Sequence, residues 1–285
     1  MHQQQTIIEK QNEDRMLKFQ YTARHYFNKA EVTGYIALVL SLFSAFCIFL
    51  PESHNISVIA PLIIDGLFLV SQKIASSDLK KAALLRNYYD SYVLGIPNES
   101  YIDDTIRNMN EIVTKLTLRY PKSCQEQISH SGHDDPPGVK NWYEFSRNFP
   151  DNEAVLECQK QNCWWTDKLS FMRIWLTIIP LLIILVLCGI CLFLYGIPLI
   201  NTFACYATLL YGSIDLVISN VQYFLISRDL KTIKAVPHIA DNPEALSHLQ
   251  EKINQRRELQ VLEINAIHKR FAKSWSELYA ETSKR

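Results

Sequence analysis

Two carboxylates stand where a carboxylate is costly. Asp65 and Asp215 each interrupt a long apolar run, and an ionisable side chain at the centre of a membrane helix costs about 2.5 to 3.5 kcal/mol on insertion scales. Each therefore needs a partner, water or a proton. Gln72 follows Asp65, and Gln222 follows Asp215, at the same interval of seven residues, which puts each pair on one helix face two turns apart. Ser219 shares the face of Asp215 and Gln222. Two readings of these polar stripes stay open. Hydrogen bonds between helices would brace a bundle, whereas a water-lined path edged by carboxylates would favour cations.

A second group of chemically capable residues lies in the middle of the chain. Lys140, Trp142, Tyr143 and Arg147 offer cations for phosphates and rings for bases within eight residues, the donor types a nucleotide needs. Packing of the Trp-Tyr pair under a loop is the structural alternative. His130, His133, Asp134 and Asp135 crowd one Gly- and Pro-containing stretch, which reads as a solvated loop. Cys158 and Cys163 with His130 and His133 match no strong zinc spacing, so no metal and no other cofactor is expected. The chain has no phosphate-cradling glycine loop, no Gly-x-Ser-x-Gly and no metal-ligand helix motif, so the sequence predicts a non-enzyme.

The elements that position these residues follow from the distribution of charge. The 285 residues are 48% hydrophobic with a net charge of zero, figures that fit a soluble domain. Yet Ala30 to Gln72 and Ile174 to Ser227 contain no Lys or Arg. Each zone has room for two spans. Thr33 to Leu50 reaches about 27 Å as a helix, close to the hydrocarbon thickness of a bilayer. Pro51 to Asn55 is a polar turn, and Ile56 to Ala75 returns. Ile174 to Tyr195 is the most apolar span, with Pro180 tolerated inside it, and Gly196-Ile197-Pro198 turns the chain into Leu199 to Ile226. The expected fold is an all-α membrane protein of four transmembrane helices in two hairpins, with cytoplasmic helical extensions.

All 29 basic residues lie on one side of these spans. The positive-inside bias then places both termini and the middle segment in the cytoplasm. The expected organisation is a cytoplasmic N-terminal helix over 1–32, a first hairpin over 33–75, a cytoplasmic helical segment over 76–170, a second hairpin over 171–226 and a cytoplasmic C-terminal region over 227–285. About thirty polar residues precede the first apolar run, so no cleaved signal peptide is expected. Cys47, Cys188, Cys191 and Cys205 fall in spans, and Cys124, Cys158 and Cys163 in a reducing compartment, so disulfides are not expected.

Finer patterns fill the polar regions. Ser76 to Val93 continues the second span helically until Gly95-Ile96-Pro97 stops it. Tyr101 to Leu118 is an amphipathic helix with Ile102, Ile106, Met109, Val113 and Leu116 on one face, Ser129 to Gly138 is a loop, and Asp151 to Trp165 feeds the third span. Asn242-Pro243-Glu244 starts a helix that the pattern carries to about Ala280, with an apolar stripe of Ile264, Ile267, Phe271, Trp275 and Leu278. An internal repeat with a period near 150 is expected: Lys10-Gln11-Asn12 recurs as Lys160-Gln161-Asn162, and Ile64-Asp65 with Gln72 recurs as Ile214-Asp215 with Gln222. Both copies run in-out-in, as parallel repeats do.

Several of these motifs together carry a family resemblance. The Gln11-Asn12 pair, Gly138-Val139-Lys140-Asn141-Trp142-Tyr143, the run from Cys158-Gln159 to Asn162 followed by Trp164, Trp165 and Asp167, and the two-plus-two span plan resemble the SMODS-associated four-transmembrane family. The likeness spans nearly the whole chain. It implies a pore-forming effector of a bacterial anti-phage system, in which a partner nucleotidyltransferase makes a cyclic oligonucleotide that triggers membrane damage and abortive infection. By the same resemblance the chain is a homo-oligomer in the bacterial inner membrane, with no DNA partner. The family pattern carries Asp after Gly-Val-Lys where this chain has Asn141, so no carboxylate role is carried to that position. Beside this effector stands another class, a small proton-coupled transporter or a non-conducting membrane scaffold.

Overall fold

A computed structural model describes residues 2–50, 56–193, 195–259 and 261, among which there is no named strand. Eight α-helices follow one another: α1 (His2–Gln11), α2 (Asp14–Phe46), α3 (Ile56–Leu94), α4 (Asp103–Arg119), α5 (Pro121–Ser129), α6 (Asp151–Phe193), α7 (Leu199–Lys234) and α8 (Pro243–Arg257). Four stretches are long and apolar enough to cross a membrane: Asp14–Phe49, Ile59–Leu94, Arg173–Phe193 and Leu199–Lys234. α2 packs along α3 and α6 along α7, and α7 also lies against α2 and α3. These are the two expected hairpins, joined through α7.

α2, α3, α6 and α7 each extend past their apolar run into polar sequence. α2 runs unbroken from polar Asp14 into the first span, so most of the N-terminal region and the span are one rod. α3 continues through its span to Leu94, where Gly95 takes a φ of +69°, a left-handed stop that glycine adopts without a Cβ penalty.

The buried interior is split in two. A large core in the polar half gathers Ile7, Phe19, Leu85, Tyr89, Met109, Cys158, Leu230 and Leu249, from α1, α2, α3, α4, α6, α7 and α8. A smaller core between the spans contains Ala45, Cys47, Ile184, Cys191, Cys205 and Leu209. Around it Phe43, Leu62, Ile63, Val186 and Ile218 are exposed, the arrangement expected where lipid tails supply the remaining contacts.

Three expectations change in detail. α4 begins at Asp103, and Ile102 is its exposed N-terminal flank rather than part of the buried face that Met109, Val113 and Leu116 form. The sequence reading assigned no helix to α5, which Pro121 opens at a position where a missing N–H costs nothing. α8 starts as expected, with Asn242 Oδ1 accepting from the N–H groups of Glu244 and Ala245, but it ends at Arg257, short of Ala280. The stripe from Ile264 to Leu278 and the turn from Pro51 to Asn55 lie outside the described residues.

Candidate functional site

The middle segment that links the hairpins is held as a strap. It starts where Gly138 passes the end of α5 so closely that a Cβ there would lie 1.9 Å from the His130 carbonyl oxygen. Only glycine fits such an approach. The N–H groups of Val139 and Lys140 donate to the carbonyls of Gln127 and His130, both at 2.9 Å, and Arg24 of α2 donates to the carbonyls of Pro137 and Gly138 at 2.9 and 3.1 Å. Asn141 then adopts a φ of +52°, a left-handed conformation that asparagine tolerates better than most residues.

From there side-chain amides grip the strap backbone. Gln11 accepts from the Tyr143 N–H at 2.8 Å and donates to the Tyr143 carbonyl at 3.2 Å. Gln161 makes the same pair of bonds with the Glu144 peptide. Asn12 exchanges two bonds with Asn141, donating at 2.8 Å and accepting at 3.1 Å. Gln4 adds a third grip, accepting from Phe149 N–H and donating to the Arg147 carbonyl. Thus both copies of the repeated Gln-Asn pair, one on α1 and one on α6, clasp the same short segment. Each amide presents a donor and an acceptor side by side, the complement of an extended peptide edge.

Tyr143 leads from the strap into a buried polar junction. Its hydroxyl donates to Asp90 of α3 at 2.6 Å and accepts from Asn162 of α6 at 2.8 Å. Asp90 is fully buried. It pairs with Arg257 of α8 at 2.6 Å and with Arg86 at 3.6 Å, and accepts from Asn162 and Gln250 at 3.2 and 3.3 Å. Burial, followed by the charge of Asp90, pushes the Tyr143 phenol well above its ordinary range, so it stays protonated and donates. One carboxylate thus shares two guanidinium groups. Arg86 in turn lies under Trp142, with its guanidinium carbon 4.1 Å from the ring centroid, and Trp142 is 45% exposed.

The residues expected to sense a ligand therefore divide. Lys140, Trp142 and Arg147 face solvent, with Arg147 stacked on Phe149. Tyr143 does not: only 2% exposed, it is committed to Asp90. His133 pairs with Glu144 at 2.8 Å on the surface, Cys158 and Cys163 are buried, and no metal-binding cluster of three ligands forms among the described residues.

In the membrane half, Asp65 is half-buried and accepts a 2.6 Å hydrogen bond from Thr208 of α7. Phe68 meets Tyr211 edge-on at 6.4 Å and lies over Gly212, where an added Cβ would stand 3.2 Å from its ring. Both the hydrogen bond and the ring pair set α3 against α7 at an offset of 143 residues (208 − 65 and 211 − 68), seven short of the 150 that relates Asp65 to Asp215 (215 − 65). The two carboxylates therefore sit about 10 Å apart along the axis, and Asp215 comes level with Gln72. Asp215 and Ser219 are half-buried and Gln222 is exposed, on an edge of α7 away from its buried Asn220, Tyr223 and Ser227. Asp215 has no hydrogen bond or ion pair among the described residues.

Sequence reasoning missed Asp90, Arg86, Arg257 and Thr208. Thr208 carried a readable signal, since it continues the seven-residue spacing of Asp215 and Gln222 upward. Asp90 was marked by its setting, a lone acid in the aromatic run Tyr88-Tyr89-Asp90.

Two hairpins of membrane-length helices, seated on a clamped helical half, define a multi-pass membrane protein with four transmembrane helices. The chain matches the SMODS-associating 4TM effector domain over residues 5–282 and belongs to that family. It is accordingly an effector linked to a nucleotidyltransferase signalling system in defence. No curated protein and no solved structure matches it.

Proposed function

We propose that the chain permeabilises the bacterial inner membrane as a homo-oligomer when a cyclic oligonucleotide, made by a partner nucleotidyltransferase, reaches its cytoplasmic half. Both termini and the strap lie in the cytoplasm in this reading. The observation that carries it is the polar stripe of α7. Asp215 and Ser219, half-buried, and Gln222, exposed, stand at membrane depth, and Asp215 has no hydrogen bond or ion pair among the described residues. Lipid cannot solvate a carboxylate there; water in a path shared by several copies can, and its ring of carboxylates favours cations. Lys140, Trp142 and Arg147 on the strap are the ligand contacts, with the Trp142 face for a base and the cations for phosphates. For Asp65 the hydrogen bond from Thr208 favours the other role considered above, bracing of the bundle.

Purified protein in planar bilayers tests this. Asp215→Asn keeps the shape and hydrogen-bonding capacity but removes the charge. The expected result is an assembled, conducting protein that has lost its cation preference; wild-type selectivity would remove Asp215 from the path. Reporter fusions at Pro198 should read periplasmic and at Ser131 and Arg285 cytoplasmic, and a periplasmic Ser131 would overturn the topology.

A further inference from the structure

Two consecutive arginines end α8, and they reach different hairpins. Arg256 donates to Ser227 of α7 at 3.5 Å and to the Asn162 carbonyl of α6 at 3.1 Å. Arg257 donates to Asn87 of α3 at 3.1 Å and pairs with Asp90 of α3 at 2.6 Å. Both are at the helix end where cations are favoured, because the peptide dipoles place partial negative charge there. α8 is itself seated by Leu246, Leu249 and Ile253, all buried in the core of the polar half, and by Gln250, which donates to Asp90 at 3.3 Å. α3 and α7 are the rods that descend from the membrane, and the strap reaches the same carboxylate through Tyr143.

From this geometry we infer that α8 is a staple: Arg256 and Arg257 hold the cytoplasmic ends of α7 and α3 together in the resting protein, and activation releases them. The chemistry suits a releasable joint. Arg257 shares Asp90 with Arg86, so withdrawing Arg257 leaves the carboxylate still paired and the core intact. Arg86 also contacts Trp142 on the surface, which gives a ligand at the strap a route of one side chain to the joint. A ligand that moves the strap at Trp142 and Tyr143 shifts two of the groups that hold Asp90, the Arg86 guanidinium and the phenol donor, and so changes the seat of Arg257. The inference deepens the function proposed above and depends on it only for the cellular readout.

The experiment uses the full chain with Arg256→Gln, Arg257→Gln and the conservative Arg257→Lys, expressed without the partner enzyme. Amide hydrogen exchange is read on protein in detergent, and membrane potential is read in cells. If the staple exists, Arg257→Gln raises exchange at the ends of α3 and α7 and in α8 by about tenfold or more, the change that a weakening of 1.4 kcal/mol produces, while Arg257→Lys restores much of the protection. Signal-free depolarisation should follow in the same order. Unchanged exchange at those helix ends in both Gln variants, with normal membrane insertion, would overturn the staple. Raised exchange with cells that stay polarised would leave the staple standing and count against the pore. Should Arg257→Gln fail to reach the membrane, the comparison of Arg256→Gln with wild type decides on the same criterion.

Discussion

The polar and membrane halves of this protein are stabilised in different ways. In the polar half, networks converge on a few buried groups: Asp90 meets two arginines, a tyrosine, an asparagine and a glutamine, and three glutamines grip the strap backbone. In the membrane half, Thr208 bonds to Asp65 beside apolar and small-residue packing such as Phe68 on Gly212, and large side chains stay uncovered. The difference has a physical reason. Specific polar networks fix one arrangement because an unmade bond in a low dielectric is costly, whereas apolar helix faces in lipid exchange neighbours at little cost.

The strongest way to break the contrast is at Asp90. Asp90→Ala leaves Arg86 and Arg257 buried with no shared carboxylate, and removing one partner of a buried ion pair costs about 3 to 5 kcal/mol. Denaturant unfolding in detergent, followed by near-UV circular dichroism, should show a destabilised transition of the polar half with helix content in the membrane half retained. A variant as stable as wild type would mean that the junction contributes little beyond what its arginines find elsewhere.

The strap clamps come next in size. Gln11→Ala leaves the buried Tyr143 peptide without two bonds, a loss of roughly 1 to 3 kcal/mol. Gln161→Ala should cost less, because its bonds to Glu144 lie in a more exposed setting. Limited proteolysis within 138–149 should therefore be faster in the Gln11 variant than in the Gln161 variant, and fastest in the double variant. Equal rates in all three would show that the strap is held by its buried Val139 and Tyr143 rather than by the amides.

How much of this was legible in the sequence follows the same division. The spans were readable because exclusion of cations over long runs is a one-dimensional signal, and the buried face of α4 because Met109, Val113 and Leu116 repeat with helical period. The repeated Gln-Asn pair was visible as a repeat, yet nothing in one dimension says that both copies close on the strap. The Asp90 junction was hidden for the same reason. Its members come from α3, the strap, α6 and α8, and no spacing links the pair 86 and 90 or the pair 250 and 257 to one another or to 143 and 162. The repeat does not put Asp65 and Asp215 at one level, as their unequal distances from the turns already imply. Sequence equivalence gives an offset of 150, whereas the hydrogen bond and ring contact between α3 and α7 hold the helices at 143, because Gly212 admits Phe68 at that register.

That shift of two turns leads to the smallest expected effect on stability. Asp65→Asn still accepts the Thr208 hydroxyl through its amide oxygen, so the variant loses only the charge-assisted part of one bond, about 1 kcal/mol or less. Asp215→Asn loses no bond that the described residues make. Both variants should therefore insert and unfold much like wild type, and they should part company only in conduction. In the proposed pore Asp215 of α7 sets the cation preference, whereas Asp65 lies about 10 Å nearer the start of α3, bonded across to α7. In planar bilayers Asp65→Asn should keep the wild-type reversal potential under a salt gradient, and Asp65→Leu, which accepts no hydrogen bond, should lower the yield of assembled protein. A reversal potential that moves in Asp65→Asn as far as in Asp215→Asn would put both carboxylates in the path. The two would then form successive rings two helical turns apart, and Thr208 would orient Asp65 for ions rather than brace the bundle.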